Sequence, residues 1–328
     1  MMTAASTHRI SRKVLLADIG GTNARFALLT GRSVGMIAHM AVGDYGSFHE
    51  ALGAYLAGLP EAETISAAIL AVAGVVRNGR CNLTNNSWVV DAAELRNSYG
   101  FSTVRMLNDF EAVAWSLSGL PPEKLLALGG GRPVAGAPLA ALGPGTGLGM
   151  AACIPHAAGR LVLSSEGGHS TMAGSTSRED AVIAWLRRRL GHVSAEHVLS
   201  GSGLEHLHEA LAALDHVALP RRRAAEITRA GVEGTCPTSR AAIDLFCAML
   251  GTVAGNLALT LGARGGVFIA GGILRHMPEY LVGSQFRARF DDKGRLRGYL
   301  EPIPIWLILD QDAAFVGLHA LAEVEGIG

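Results

Sequence analysis

Short apolar runs separated by glycine dominate the first third of the chain. Residues 14–17 are uninterruptedly apolar, carry an acid at Asp18, break at Gly20 and Gly21, and resume as a second apolar run over 24–29. Runs of this length bounded by turn residues predict strands, and the same pattern returns at 33–39, 66–73 and 104–107. Helical spacing predicts helices over 47–58 and 91–99, with another opening at Asp109. Alternation of the two periodicities describes a mixed α/β unit.

A passage rich in Gly and Pro, 119–138, follows, and a domain boundary is expected at its start. Beyond it, 139–163 reads as strand, glycine turn, strand, strand, with GPGTGLG at 143–149 as its centre. Gly145 and Thr146 echo Gly21 and Thr22, each pair lying between two apolar segments. The echo suggests a duplicated architecture that holds a phosphate between two turns. Residues 178–263 are mostly helical, and the arginine runs 187–189 and 221–223 read as solvated helix faces. GGVFIAGGI, 265–273, predicts a buried strand between glycine pairs; 303–309 predicts a last strand and 311–324 a closing helix.

Composition narrows the class. Of 328 residues, 49% are hydrophobic and 17% charged, and Lys plus Arg equals Asp plus Glu at 28 each, so no global field favours nucleic acid or an anionic membrane. A neutral, soluble, cytoplasmic protein is expected. Cys81, Cys153, Cys236 and Cys247 are far apart, without CxxC spacing, and read as buried free thiols. Residues 1–13 read as a disordered leader, because Asp18 interrupts the apolar run that a signal peptide would need. No charge occurs over 245–263, yet Gly251, Thr252, Gly255, Asn256 and Thr260 lower its hydrophobicity and suit a soluble core helix better than a membrane span.

Chemistry enters at the turns. Successive backbone N–H groups in a glycine turn form a concavity for an anion, phosphate above all. The first turn lacks the P-loop order and leads into a strand rather than a helix. Asn108 and Asp109 follow a strand and open a helix, which suits capping. The same place, the carboxyl end of a strand, suits a base that takes a proton from an attacking hydroxyl. Glu166, Gly167, Gly168 and His169 read either as a surface loop or as a glycine turn whose carboxylate and imidazole meet sugar hydroxyls. Glu196 is either a solvent-facing helical glutamate or a ligand.

Taken in order, DIGGTN (18–23), LNDF (107–110), GPGTGLG (143–149), SEGGH (165–169), HVSAEHVLSGSGL (192–204) and GGVFIAGGI resemble the motifs of the bacterial glucokinase family, across residues 14 to about 320. The resemblance implies a two-domain α/β fold of the hexokinase and actin-like ATPase type, ribonuclease H-like, with ATP and its ligand cleft between a small and a large domain. The small domain is expected over 14–118, with a helix at 311–325 packing back on it, and the large domain over 119–310. It implies phosphorylation of glucose at its 6-hydroxyl, with magnesium, by a homodimer that binds neither nucleic acid nor membrane. Carried over, Asp109 is the general base, and Asn108, Glu166, His169, Glu196 and Asn85 bind the sugar. Asp18, Gly20, Gly21, Thr22 and Asn23 approach the phosphates, Asp18 facing the magnesium through water; Thr146 and Gly147 complete the cradle, and Gly271 and Gly272 lie against the adenosine.

Two positions depart from the family pattern: His197 stands where Arg usually follows the glutamate, and the leader is long. The rivals are a kinase of another hexose or of an amino sugar, and a sugar-sensing protein without turnover. The chain lacks the Cys and His zinc cluster of several amino-sugar relatives, and no basic DNA-binding extension precedes Val14.

Overall fold

In the computed structural model, which describes residues 13–60, 64–83 and 86–327, backbone contacts divide the chain into two units. One comprises Met1–Gly119 and Ala314–Gly328, the other Leu120–Ala313. Each has its own apolar core.

The first unit is built on β1 (Lys13–Ile19), buried along all but its first residue. A strand with no polar face must be covered on both sides, and β1 is central: β2 (Asn23–Thr30) pairs with it antiparallel and β5 (Ile65–Val72) parallel. Between them lie β3 (Ser33–Val34), β4 (Ala38–Ala41) and α1 (Phe48–Ala57). After β5 come a small hairpin of β6 (Arg80–Asn82) and β7 (Val89–Asp91), then α2 (Ala92–Tyr99), β8 (Thr103–Asn108) and α3 (Asp109–Ser116). The sheet order is β3-β2-β1-β5-β8, with β4 also on β2. The single strand expected over 33–39 is therefore two pieces; Gly35 bonds back to the Leu28 carbonyl and interrupts the ladder.

The second unit begins with β9 (Leu125–Gly129), β10 (Leu139–Pro144), β11 (Leu148–His156) and β12 (Gly159–Ser165). Helices α4 (Ser177–Leu190), α5 (Gly201–Leu214), α6 (Ala224–Val232) and α7 (Pro237–Leu261) follow, then β13 (Gly266–Ile269). Four short helices, α8 (Gly272–Arg275), α9 (Pro278–Gly283), α10 (Phe286–Asp291) and α11 (Arg297–Leu300), precede β14 (Ile305–Ile308). The sheet order is β12-β11-β10-β13-β14-β9. Strand β9 lies inside the passage expected to be irregular; its pairing with β14, not its own pattern, makes it a strand.

Helix α7 is long and apolar enough to cross a membrane, yet 72% of its most apolar window is buried within the protein. Its glycines explain the packing. A Cβ on Gly251 would lie 2.1 Å from the Phe286 carbonyl oxygen and one on Gly255 2.6 Å from that of Phe290, so α10 rests directly on the α7 backbone. An ion pair ties the same layer: Arg289 grips Glu179, which is 1% exposed, through contacts of 2.6 and 3.1 Å, and also bonds Thr252. Burial alone would raise the Glu179 carboxyl, but Arg289 and the Ser175 N–H outweigh it and hold the group below its usual range. All four cysteines are buried and free.

The last helix, α12 (Ala313–Glu325), returns to the first unit. At Gly317 it lies directly on α3, where a Cβ would clash with the Ala112 carbonyl oxygen, and Arg32 and Arg105 pair with Glu323 and Glu325 near its end.

Candidate active site

In the first unit the parallel strands β1, β5 and β8 end together, and the polar residues singled out in the sequence gather at that end. Asp18, 8% exposed, faces Arg25 across one rung of the β1–β2 hairpin, and Arg25 Nη1 donates to its Oδ2 at 2.6 Å. A buried carboxylate needs such a partner. The pairing alters one expectation: the place of Asp18 in an apolar strand is compensated within the protein and is no sign of a cation by itself. The turn beyond it closes through Gly20 N–H to the Asn23 carbonyl, 2.9 Å, and exposes Thr22 and Asn23, with Gly21 half-buried before them. Asn85 lies outside the described residues; its neighbour Asn86 reaches the Gly21 carbonyl at 3.5 Å.

Asn108 ends β8 and is the cap of α3. Its Oδ1 accepts the Phe110 N–H at 2.9 Å and its Nδ2 donates to the Gly74 carbonyl at 3.3 Å, so the side-chain amide is held from both ends. Asp109 is the first helical residue, half-buried, and its Oδ1 shares the same Phe110 N–H. Capping therefore falls chiefly to Asn108. The Cys81 thiol, pushed up by burial and further by the Asp109 charge, marks the hairpin β6–β7 as a neighbour of this carboxylate. Arg25, Gly74, Cys81 and Asn86 were not among the expected residues. Of these, only Arg25 had a signal, since folding LADIGGTNAR about its glycines places it opposite Asp18.

In the second unit the turn between β10 and β11 closes through Gly145 N–H to the Gly147 carbonyl, 2.8 Å, with Thr146 exposed at its tip. Gly271 follows β13 at φ +109°, and a Cβ there would lie 2.1 Å from the Pro144 carbonyl oxygen. Only glycine lets the two strand ends pass this closely. Gly272 then opens α8. The first N–H of α5, on Gly201, donates to the Gly145 carbonyl at 2.9 Å, which seats the positive end of a helix dipole against the turn.

Glu196 stands in an irregular turn before α5, so the helical alternative for it is set aside. Its Oε2 accepts the Leu148 N–H at 2.8 Å, and its own N–H donates to the Gly168 carbonyl at 2.9 Å. A Cβ on Gly147 would lie 2.5 Å from that Oε2, so the glycine makes room for the carboxylate. His169 Nδ1 is 3.9 Å from Glu196 Oε1, and its Nε2 is 3.9 Å from Glu166 Oε2. The imidazole thus stands between two carboxylates. The Glu166 and His169 side chains are each 62% exposed, open to a ligand, whereas Glu196 is 28% exposed. Two acids and an imidazole so grouped offer alternating acceptors and donors, the pattern that vicinal hydroxyls require.

Among the described residues no group of three or more His, Cys, Asp and Glu is arranged to hold a metal ion. Magnesium at a nucleotide needs less, one or two carboxylates beside the phosphates and water, and Asp18 supplies a carboxylate at the first turn.

The glucokinase family model matches residues 15–325. A glucokinase of Paramagnetospirillum magneticum is 49% identical over 315 residues, covering 95% of this chain and 98% of the relative. One of Chromobacterium violaceum is 44% identical over 307 residues, covering 93% and 88%. The crystal structure of a glucokinase from an Antarctic psychrotroph has a TM-score of 0.83 and 35% identity, with 95% and 98% of the two chains covered. On this evidence of motif, fold and full-length similarity, the chain belongs to the glucokinase family.

Proposed function

We propose that this protein is an ATP-dependent glucose kinase, transferring the γ-phosphoryl group of ATP to the 6-hydroxyl of glucose to give glucose 6-phosphate and ADP, with Asp109 as the general base. The observation that carries the reading is the meeting of Glu166 and His169, on the glycine turn after β12, with Glu196, from the turn before α5, in a chain of this family. These three, with Asn108 and Asn85, read the sugar hydroxyls. The amide of Asn108, held by Gly74 and Phe110, keeps a fixed orientation towards its ligand.

Asp109 takes the proton of the 6-hydroxyl as that oxygen attacks the γ-phosphorus, and ADP departs on the opposite side. The N–H groups of Gly21 and Thr22 in the first turn and of Thr146 and Gly147 in the second would meet phosphate oxygens, with Gly20 closing the first turn, and the backbone at Gly271 and Gly272 would lie against the adenosine. Asp18 would hold magnesium on the nucleotide through water, and the ion would supply neutralisation of the phosphate charge. Excluding water from the bound sugar keeps it from competing as acceptor.

ADP release on adding glucose with Mg-ATP, across a panel of sugars and phosphoryl donors, is the test. Intact sugar binding without ADP release would replace the reading by that of a sugar sensor, and faster turnover of another hexose or an amino sugar would reassign the substrate. The proposal extends to a cytoplasmic homodimer acting in glycolysis. The four buried free thiols suit a reducing compartment.

A further inference from the structure

Glu196 is gripped at its carboxylate and its N–H, but the turn on which it stands is closed by the next residue. His197 Nδ1 accepts the Ser194 N–H at 3.1 Å and lies 3.2 Å from Ser194 Oγ, and the His197 N–H is shared between the Ser194 carbonyl at 3.1 Å and that Oγ at 3.3 Å. A ring nitrogen that accepts a backbone N–H carries no proton, so the ring is neutral with its hydrogen on Nε2. Ser194 is 1% exposed and bridges to Thr171, so it has no freedom to find another acceptor. From α5, His206 Nδ1 meets the His197 carbonyl at 2.9 Å, and Ser200 Oγ donates to the Glu196 carbonyl at 2.8 Å. Every bond in this set but one survives acid. The exception is the acceptor bond at His197 Nδ1.

The groups that face the ring are His206 on α5, Glu196 beside it, His192 at the start of the segment and His169 on the glycine turn. Burial is the largest influence and holds the His197 ring below the usual imidazole range; the three histidines act in the same direction and Glu196 opposes them.

We propose that His197 is a positioning residue for sugar binding: its neutral ring accepts the Ser194 N–H and so steadies the turn that presents Glu196, and protonating the ring removes that bond. The proposal rests on the reading of Glu196 as a sugar ligand. Loss of the bond weakens glucose binding and leaves the chemistry at Asp109 untouched, so its signature is in KM rather than kcat.

The sign follows from the neutral form being the working one: affinity is full above the ordinary histidine value of 6.5 and declines as pH falls through the lower value in the folded protein. The test is ADP release by the full-length enzyme with glucose titrated at saturating Mg-ATP. In the wild type, glucose KM rises as pH is lowered below 6.5, towards the level of His197→Ala and in excess of any change in kcat. His197→Asn, whose Oδ1 can accept the same N–H but does not titrate, keeps KM within about threefold of wild type at neutral pH and removes this rise. His197→Ala raises KM about tenfold at every pH and retains kcat, the loss of one buried hydrogen bond.

An acid rise that persists in His197→Asn, or an unchanged KM at neutral pH in folded His197→Ala, would overturn the proposal; should His197→Ala not fold, the Asn variant decides alone. Glu196→Gln separates the two layers. A raised KM in Glu196→Gln with inert His197 variants removes only the positioning role, whereas an unchanged KM in Glu196→Gln removes the sugar role of Glu196 and the proposal with it.

Discussion

The two units repeat one arrangement of strands and use it differently. In each, a strand turns through glycine into an antiparallel partner, which continues to a third strand, while two parallel strands follow on the other side: β3-β2-β1-β5-β8 in the first unit and β12-β11-β10-β13-β14 in the second. The first hairpin carries its own charges, Asp18 and Arg25 on a single rung. The second is apolar along its rungs, and the acid at its turn, Glu196, arrives from 48 residues beyond Leu148. A sheet therefore determines where strand ends and their glycine turns lie. Which chemistry they carry depends on the side chains that other segments bring to them.

The comparison can be broken most severely at Asp109. Asp109→Ala should lower kcat by at least ~10²-fold with the fold and glucose affinity retained, since a positioned base is worth about 10² to 10⁴; near-normal ADP release would place the base elsewhere. Next is the ion pair of the second unit. Arg289→Ala leaves Glu179 buried and uncompensated and should cost about 3–5 kcal/mol in urea unfolding. Arg25→Ala in the first unit should cost less, because Asp18 and Arg25 retain 12% and 19% side-chain exposure.

Acid sharpens the same contrast. The Glu179 contribution is present in full above the usual carboxylate value of 4.5 and is lost as pH falls through the lower value of the folded state. Wild type should therefore lose stability between neutral pH and about pH 3 by more than Arg289→Ala does, by the urea midpoint. The smallest effects compare the two glycine regions. Gly271→Ala, with positive φ and a backbone oxygen at 2.1 Å, should destabilise by about 1–3 kcal/mol. Gly20→Ala, where the nearest atom is the Asn23 carbonyl oxygen at 3.3 Å, should change stability by about 0.5 kcal/mol. Equal losses in thermal unfolding would remove the distinction.

Much of the strand framework was legible because buried strands of this kind are continuous apolar runs ending at glycine. The runs at 14–17 and 24–29 became β1 and β2, and GPGTGLG became the β10–β11 turn. Strand β9 was not legible: its five residues sit among glycines and prolines, and only β14 gives them a ladder. The hairpin β6–β7 was missed for the same reason, being three residues a side. At the candidate site the sequence left Asn108 and Asp109 open between capping and catalysis, and the hydrogen bonds give the cap chiefly to the Asn108 amide, with Asp109 Oδ1 sharing the Phe110 N–H.

By itself the sequence determined that two glycine turns end apolar strands, and that acids stand at the ends or turns of several segments, because backbone conformation and strand periodicity are local properties. Only the tertiary structure decided that Asp18 is answered by Arg25, that His169 stands between Glu166 and Glu196, and that Glu196 is gripped by the Leu148 N–H. These meetings join separate segments. A hydrogen bond over 48 residues is set by how strands and loops pack, and no local pattern records it.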